Sequence, residues 1–337
     1  MNDISMVMTA LIATAVTGLS GVFFIPFLKK IKFGQMINDI GPTWHKSKQG
    51  TPTMGGFMFI IGIFAAALIG FGILSQSNTR EAEGYALMNN AKFFAGLFAA
   101  LAFAFTGFVD DYIKVVKKRN LGLTEIQKLI MQITIGIIYL FTLYLTGTAS
   151  TSVWIPFIGH WQLGLFYYPV ALFIIVGFVN AVNLTDGLDG LASSITFVSA
   201  IAFMIAASLL KLGGMNILAT ALAGGCLGFL IWNFYPAKVM MGDTGSMFLG
   251  GLVIALAFGM DIPLILVLFG VIYWIDTFSV ILQRLSVKLT GKRLFKMSPI
   301  HHHFEMLGYT EVKIVFLFSL IQFIGCVLGI IAIVLLV

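Results

Sequence analysis

Acidic residues and histidines gather in four short polar clusters that interrupt long apolar runs of this sequence. The first cluster is the pair Asp110-Asp111, and Lys114 follows it at the spacing of one helical turn. Two adjacent carboxylates beside an apolar run are costly unless they hold a cation or pair with a base, and Lys114 is placed to bind a carboxylate or a phosphate. The pattern indicates a cation or phosphate site; the alternative is a solvated helix end that carries an ion pair.

The second cluster is the segment NAVNLTDGLDGL at residues 180–191. Its polar residues recur at every third position: Asn180, Asn183, Asp186 and Asp189. On a helix this spacing keeps the first polar side chains near one face, and Gly187 and Gly190 then let the chain turn. Two carboxylates and two carboxamides in a tight loop suit a metal ion or a sugar-nucleotide headgroup. A plain turn rich in asparagine and glycine is the alternative.

The third cluster is the segment MGDTGS, in which Asp243 lies between Gly242 and Gly245 just before another apolar run. A single carboxylate in a glycine loop is a good ligand for Mg²⁺, because this ion takes one or two carboxylates together with water and substrate phosphate. The alternative is an aspartate that only caps the N-terminus of the following helix.

The fourth cluster is the loop 291–305, GKRLFKMSPIHHHFE, with His301, His302 and His303 in a row. Consecutive side chains diverge, so the three histidines are poorly placed to bind one zinc ion, and the spacing HExxH is missing. Beside Arg293 and Lys296 they fit better as hydrogen-bond donors to phosphate. A basic loop that contacts lipid headgroups is the alternative.

The rest of the chain consists of apolar runs that must position these clusters. Of the 337 residues, 59% are hydrophobic and 10% are charged, and the mean hydropathy is +1.00. A soluble domain needs more charge at its surface, and a helix that spans a bilayer needs roughly 20 apolar residues. We therefore predict an all-α, polytopic integral membrane protein with about ten transmembrane helices in a single domain over residues 1–337. The runs lie near 4–28, 53–75, 92–109, 126–146, 167–184, 191–210, 216–235, 246–260, 262–283 and 313–337.

Lysine and arginine residues are concentrated in alternate loops. The loops that hold nearly all of them are 29–52, 110–128, 236–245 and 284–312, against Arg80, Lys92 and Lys211 on the other side. By the positive-inside rule the rich loops are cytoplasmic and both termini lie outside, so the four polar clusters share the cytoplasmic face. The net charge of +6 then reflects topology and attraction to anionic membrane lipids, and it does not favour binding of nucleic acid.

Three further features of the sequence predict local structure. The uncharged stretch 146–166 alternates in a way that predicts a short hairpin outside the membrane, with aromatic residues suited to the interface. The run 246–260 is short and rich in glycine, which predicts a broken or re-entrant helix. Asp276 lies well inside an apolar run, where a packed, hydrogen-bonded structural role is expected.

Taken together, acidic residues, lysines and histidines on one membrane face are typical of phosphoryl chemistry. In such reactions Mg²⁺ and cationic side chains neutralise charge at a phosphate that is being transferred, and the protein mainly positions the reactants. The sequence has neither a Walker loop nor the Rossmann glycine pattern, so hydrolysis of ATP and nicotinamide chemistry are disfavoured.

Five motifs in this order resemble the phospho-N-acetylmuramoyl-pentapeptide-transferase family of the polyprenyl-phosphate N-acetylhexosamine-1-phosphate transferase superfamily. They are TPTMGG at 51–56, DDYIK at 110–114, NAVNLTDGLDGL at 180–191, MGDTGS at 241–246 and PIHHHFE at 299–305. The resemblance implies transfer of phospho-MurNAc-pentapeptide from UDP-MurNAc-pentapeptide to undecaprenyl phosphate, which gives lipid I and UMP, the first membrane step of peptidoglycan synthesis. Two alternatives are a UDP-GlcNAc:polyprenyl-phosphate GlcNAc-1-phosphate transferase and a secondary transporter for an anionic solute.

The resemblance also implies roles for individual residues. Asp243 would bind Mg²⁺, Asp110 and Asp111 would be catalytic, and Lys114 would contact phosphate. His301, His302 and His303 would face the substrate phosphates or the sugar, with His302 and His303 counted as catalytic. The residues that match the nucleoside pocket are Lys48, Asn183, Asp186, Gly187, Leu188, Asp189 and Asn233. The implied location is the bacterial plasma membrane with the active site on the cytoplasmic face, and a homodimer is compatible with it.

Overall fold

The computed structural model describes residues 3–31, 48, 50–77, 83–117, 121–147 and 151–336. Several of the basic residues compared above lie outside these ranges, among them Lys32, Arg80, Lys118 and Arg119. The helices are α1 (Asp3–Lys30), α2 (Gly56–Ser77), α3 (Glu83–Val116), α4 (Glu125–Leu145), α5 (Tyr167–Thr185), α6 (Leu191–Leu209), α7 (Gly213–Asn233), α8 (Gly242–Gly259), α9 (Leu266–Phe269), α10 (Val271–Thr290), α11 (Ile300–Glu305) and α12 (Glu311–Val334).

Long apolar helices dominate this architecture, as the composition predicts. Within the described ranges, 9 helices are long and apolar enough to cross a membrane, or up to 10 when one bent pair counts as a single span. This confirms the predicted all-α fold with about ten spans. Large hydrophobic side chains such as Phe23 on α1 and Phe141 on α4 are exposed, which is expected where hydrocarbon rather than water surrounds the bundle.

The stretch between α4 and α5 forms the predicted hairpin. Strands β1 (Ser152–Ile155) and β2 (Gly159–Gln162) are antiparallel, with Trp154 opposite His160. Trp154 is buried against the bundle, whereas Trp161 is 67% exposed. An aromatic side chain free on the hairpin surface is suited to a membrane interface.

Helices α7 and α8 form the centre of the bundle, with 83% and 89% of their spans buried, against 28% for α1 and α4. Helices in a bilayer associate through close packing of small residues, because lipid chains are as apolar as leucine. On α3, Gly96 faces Ala255 of α8, and a Cβ added at Gly107 would lie 2.1 Å from the Asp243 carbonyl oxygen. This close approach brings the first polar cluster against the third.

The prediction of a broken helix over 246–260 is wrong, because α8 is continuous from Gly242 to Gly259. Its glycines serve close packing instead, with Gly250 against Val179 of α5 and Gly251 against Ala100 of α3. The break occurs in the next span, where the segment Pro263–Phe269 and helix α10 meet at 84° around Gly270.

A glutamine on α12 satisfies the backbone groups that this break frees. Gln322 Nε2 donates to the Phe269 carbonyl oxygen at 2.6 Å, and Gln322 Oε1 accepts from the Ile272 N–H at 3.2 Å. The same Nε2 also donates to Ser199 Oγ of α6 at 3.1 Å. Non-helical backbone at membrane depth is tolerated only where such partners exist, so Gln322 stabilises the bend.

We expect Gln322→Leu to lower the free energy of unfolding by about 1–3 kcal/mol, because the Phe269 carbonyl and the Ile272 N–H then lack a partner. The measurement is thermal unfolding of the purified protein in detergent. Phe323→Leu is the control, since Phe323 is 56% exposed on the same helix. Equal losses in both variants would show that the glutamine has no special role at the bend.

Candidate active site

Four helix ends meet at one end of the bundle, and Asp243 in the first turn of α8 lies at their centre. Its Oδ2 accepts from Lys114 Nζ of α3 and from Lys128 Nζ of α4, each at 2.9 Å. Its Oδ1 accepts from Asn183 Nδ2 of α5 at 2.9 Å, and the same nitrogen donates to Ser246 Oγ at 2.8 Å. The predicted clusters around residues 110, 183 and 243 are therefore one site.

Lys128 is a member of this site that sequence reasoning missed. It lies where the basic loop 110–128 meets the apolar run 126–146, so the sequence indicates only a topology signal for it. A lone lysine one turn into an apolar helix is a weak signal, and its partner Asp243 is 115 residues away in sequence. Only the packing of α3 against both α4 and α8 brings the two together.

Asp111 holds the start of α8. Its Oδ1 accepts from the Asp243 backbone N–H at 3.2 Å, and its Oδ2 accepts from the Thr244 backbone N–H at 2.9 Å and from Thr244 Oγ1 at 2.7 Å. The first N–H groups of a helix need such partners, and a carboxylate there also interacts favourably with the helix dipole. Asp243 is therefore not the cap of this helix; Asp111 caps it from α3.

Asp110 is buried and is fixed by two partners. Its Oδ2 lies 2.5 Å from Lys114 Nζ, and its Oδ1 accepts from the Leu123 backbone N–H at 2.8 Å. The predicted ion pair at one helical turn is confirmed. Because Lys114 also contacts Asp243, it joins the two carboxylates.

Asp110, Asp111 and Asp243 form a cluster whose ligand oxygens lie within 4.8 Å of one another. Carboxylate oxygens are the protein ligands that Mg²⁺ prefers, and a site for that ion needs only one or two of them. Since Asp111 uses both oxygens to hold α8, Asp110 and Asp243 are the better candidates to bind a metal. Three carboxyl groups against two lysines make this end of the bundle rich in acidic oxygen ligands, which suits a cation.

A second group of charges lies at the turn after α5. Asp189 Oδ1 lies 2.7 Å from Lys48 Nζ, and Lys48 Nζ also lies 2.7 Å from Glu311 Oε2 of α12. Burial alone would lower the pKa of Lys48, but these carboxylates outweigh it and raise the pKa above its ordinary value. The structure thus brings Lys48 to Asp189, and it adds Glu311, which sequence reasoning missed.

Asp186 ends α5 beside this group. Burial raises its pKa to about 8, and the carboxylates of Asp243 and Asp111 contribute in the same direction. The shift favours the protonated form of this carboxyl group. Leu188, two residues on, is buried and gives this turn an apolar part.

Asn180 of the second cluster and Asn233 of the implied nucleoside pocket both bind protein groups. Asn233 accepts from Ser193 Oγ at 3.1 Å and donates to the Val239 carbonyl at 3.0 Å. Asn180 and Gln132 exchange side-chain hydrogen bonds of 2.7 and 3.2 Å, which join α5 to α4. Both residues therefore connect segments of the protein around the site.

The three histidines have different hydrogen-bond partners, although the rings of His301 and His302 are in contact, with their centroids 4.3 Å apart. His301 Nδ1 lies 2.9 Å from Asp276 Oδ2, and His302 Nδ1 lies 2.6 Å from Glu305 Oε2. His303 Nδ1 accepts from the Lys296 backbone N–H at 3.1 Å. His301 points into the bundle, where its Nε2 is close to Gly187, so it is the histidine nearest to the turn after α5.

The fold is a bundle of membrane-length helices, and the site at one end of it combines carboxylates with lysines. The class of protein is a membrane glycosyl transferase: residues 93–261 match the family model Glycosyl transferase family 4. Over 96–97% of its length the chain is similar to proteins named phospho-N-acetylmuramoyl-pentapeptide-transferase. Identity is 45% with that of Heliobacterium modesticaldum, 46% with that of Clostridium perfringens (strain SM101) and 43% with that of Clostridioides difficile, and 96–97% of each relative is covered. The chain belongs to the phospho-N-acetylmuramoyl-pentapeptide-transferase family. These matches do not favour the GlcNAc-1-phosphate transferase, and they lend no support to the transporter.

Proposed function

We propose that this chain transfers phospho-MurNAc-pentapeptide from UDP-MurNAc-pentapeptide to undecaprenyl phosphate, giving lipid I and UMP. An oxygen of the lipid phosphate bonds to the phosphorus that carries the sugar, and the bond from that phosphorus to the bridging oxygen of UMP breaks. The observation that carries the proposal is the assembly of Asp243 with Lys114 and Lys128 at one end of a membrane bundle. It supplies both the cations and the carboxylates that transfer of a phosphoryl group requires.

Asp243 and Asp110 would hold the metal ion, for which we propose Mg²⁺. The donor set fits, since these are hard oxygen ligands that belong to neighbouring, rigid helices. When bound, the ion supplies positive charge to the diphosphate of the sugar nucleotide. Asp111 keeps α8 in register, and Asn183 orients the Asp243 carboxylate through Oδ1.

Lys114 and Lys128 would bind phosphate oxygens. Each already has its ammonium group directed to Oδ2 of Asp243, so a phosphate that arrives there meets two preorganised cations. His302 and His303, on the short helix α11, are proposed as additional hydrogen-bond donors to the phosphates or the sugar.

The lipid phosphate needs little help in losing a proton. A phosphomonoester has a second pKa near 6, so it is mostly dianionic at pH 7. We therefore propose that Asp110 organises Lys114, the metal and the lipid phosphate, and that it is not a general base in the strict sense.

The turn after α5 would bind the nucleoside. Asp186, whose carboxyl pKa is raised, and the Lys48–Asp189 pair offer polar and charged groups there, and Leu188 is buried beside them. At Gly187 the backbone lies against the His301 imidazole, and Asn233 fixes the neighbouring segment through Val239.

We further propose that the chain is a single catalytic domain over residues 1–337 in the bacterial plasma membrane, with this site on the cytoplasmic face. A cysteine at position 296 should then react with an impermeant thiol reagent only from the cytoplasm, and one at position 160 only from outside. Lys296 and His160 are exposed, whereas Cys226 and Cys326 are buried and provide an unreactive background. The measurement is labelling of intact cells and of inverted vesicles, and reversed accessibility at either position would overturn the orientation.

A radiolabel transfer assay with the purified enzyme tests the reaction itself. Undecaprenyl phosphate and Mg²⁺ are supplied with either UDP-MurNAc-pentapeptide or UDP-GlcNAc. We expect lipid-linked product and UMP with the first nucleotide alone. Product from UDP-GlcNAc would favour the other branch of the superfamily, and uptake into proteoliposomes without release of UMP would favour a transporter.

A further inference from the structure

A buried carboxylate and imidazole pair connects α10 to α11 behind the site. Asp276 and His301 both have fully buried side chains, and Asp276 Oδ2 lies 2.9 Å from His301 Nδ1. Asp276 Oδ1 faces the backbone N–H of His301 at 3.4 Å. Both oxygens of one aspartate are therefore directed to N–H positions of a single histidine.

An ionisable carboxylate in the interior of a membrane bundle is a costly way to join two helices. Removing a carboxylate from water is repaid only when its partners are very well placed, and apolar side chains of similar volume often stabilise a protein as well or better. Packing alone is thus a poor explanation for an aspartate at position 276. The second ring nitrogen of the histidine points to another reason.

The other ring nitrogen of His301 is buried and has no hydrogen-bond partner within the described part of the chain. It faces the turn after α5, where a Cβ added at Gly187 would lie 2.2 Å from Nε2. Since residue 187 has no side chain, the imidazole reaches the backbone of the turn that carries Asp186 and Asp189. A buried lone pair without a donor is unfavourable, and a ligand bound at the turn would relieve it.

The carboxylate decides which ring nitrogen carries the proton. A carboxylate only accepts, so a neutral imidazole beside it keeps its proton on Nδ1, and Nε2 is left as an acceptor. An asparagine at position 276 could not accept from both the backbone N–H and Nδ1. If its oxygen accepts from the backbone, its NH₂ group faces Nδ1 and forces the proton onto Nε2.

We propose that Asp276 is a positioning residue for His301, and that it keeps Nε2 as a hydrogen-bond acceptor for an N–H or O–H group of the bound sugar nucleotide. This inference rests on the proposed function for the identity of the ligand. The tautomer of His301 in the free protein does not depend on that function.

The kinetic test compares three single variants. Asp276→Asn should lower kcat/KM by about 10- to 100-fold, the usual effect of removing the partner that orients a functional histidine. The change should lie in KM for UDP-MurNAc-pentapeptide and leave KM for undecaprenyl phosphate unchanged. Asp276→Glu restores a carboxylate and should recover most of the loss. Asp261→Asn is the matched control with unchanged kinetics, because Asp261 pairs with Lys92 at the other end of α8.

A double-mutant cycle asks whether Asp276 acts through the histidine. In a His301→Gln background, Asp276→Asn should add no further loss of kcat/KM. Additive losses, or a single Asp276→Asn variant as active as the wild type, would overturn the proposal.

Solid-state ¹⁵N NMR on protein labelled at histidine tests the tautomer in the wild type, so the result does not depend on whether Asp276→Asn folds. The His301 signals are identified by their absence in His301→Gln. We expect Nε2 without a proton in the free protein and a changed Nε2 signal when UDP-MurNAc-pentapeptide is added. A proton on Nε2 of the free wild type, or an unchanged signal at saturating nucleotide, would refute the inference. If the tautomer and the nucleotide response are as expected but lipid-linked product is missing, the proposed function fails instead.

Discussion

Asp243→Asn should reduce the transfer rate by about 10²–10³-fold or more, the scale of losing one preorganised electrostatic group in an active site. The carboxylate accepts at both ends: Lys114 and Lys128 at Oδ2, and Asn183 at Oδ1. An amide has a single oxygen, so its NH₂ group must face either the two ammonium groups or the amide of Asn183. The substitution therefore removes the charge that draws a hard cation out of water and also disturbs the groups around it.

The measurement is the initial rate of lipid-linked product formation over a range of Mg²⁺ concentrations. Because binding of the metal is weakened, higher Mg²⁺ should recover part of the rate in Asp243→Asn and have little effect on the wild type. Asp261→Asn again provides the control, since it changes the same residue type at the opposite end of α8. A normal rate for Asp243→Asn at ordinary Mg²⁺ would rule out this aspartate as the principal ligand.

Asp110→Asn should lower the rate by about 10²-fold, and by nearly the same factor at every pH from about 6 to 9. The variant loses the charge that holds Lys114, although the Leu123 N–H can still donate to the amide oxygen. If Asp110 organises lysine, metal and lipid phosphate, the ratio of wild-type to variant rates does not depend on the protonation of the substrate.

A general base would behave differently, and the sign of the pH effect separates the two roles. Below the second pKa of the lipid phosphate, near 6, the substrate keeps a proton that a base must remove; above it, the substrate has lost that proton unaided. A variant that lacks only a base should therefore regain activity as the pH rises past about 6. Rates of both proteins with undecaprenyl phosphate at saturating Mg²⁺ provide the measurement, and recovery of the variant toward the wild-type rate would refute the organising role.

The fold class and most residues of the site could be predicted from the order of residues along the chain. The cost of exposing polar groups to hydrocarbon depends on composition and length, so the spans are readable as apolar runs. The Asp110–Lys114 contact was predictable for a similar reason, because residues four apart on a helix are neighbours whatever the rest of the protein does. The order of the five motifs along the chain then indicated that the polar clusters belong to one site.

Only the tertiary structure decided which of those groups touch. Lys128 meets Asp243 across 115 positions, and Glu311 meets Lys48 across 263. Asp111 likewise accepts from the backbone of Asp243 and Thr244, and so caps α8, which begins 131 residues later in the sequence. Nothing local specifies such pairs, since they depend on how helices pack.

The position of the helix break has the same physical origin. Glycines predict both flexibility and close packing, and the sequence does not distinguish the two roles. In α8 they lie against α3 and α5, so the helix stays continuous; at Gly270 the chain bends because Gln322 of a distant helix satisfies the freed backbone groups. Local sequence determines where the chain can bend or pack closely. The contacts that stabilise a bend or a continuous helix come from other helices of the assembled bundle.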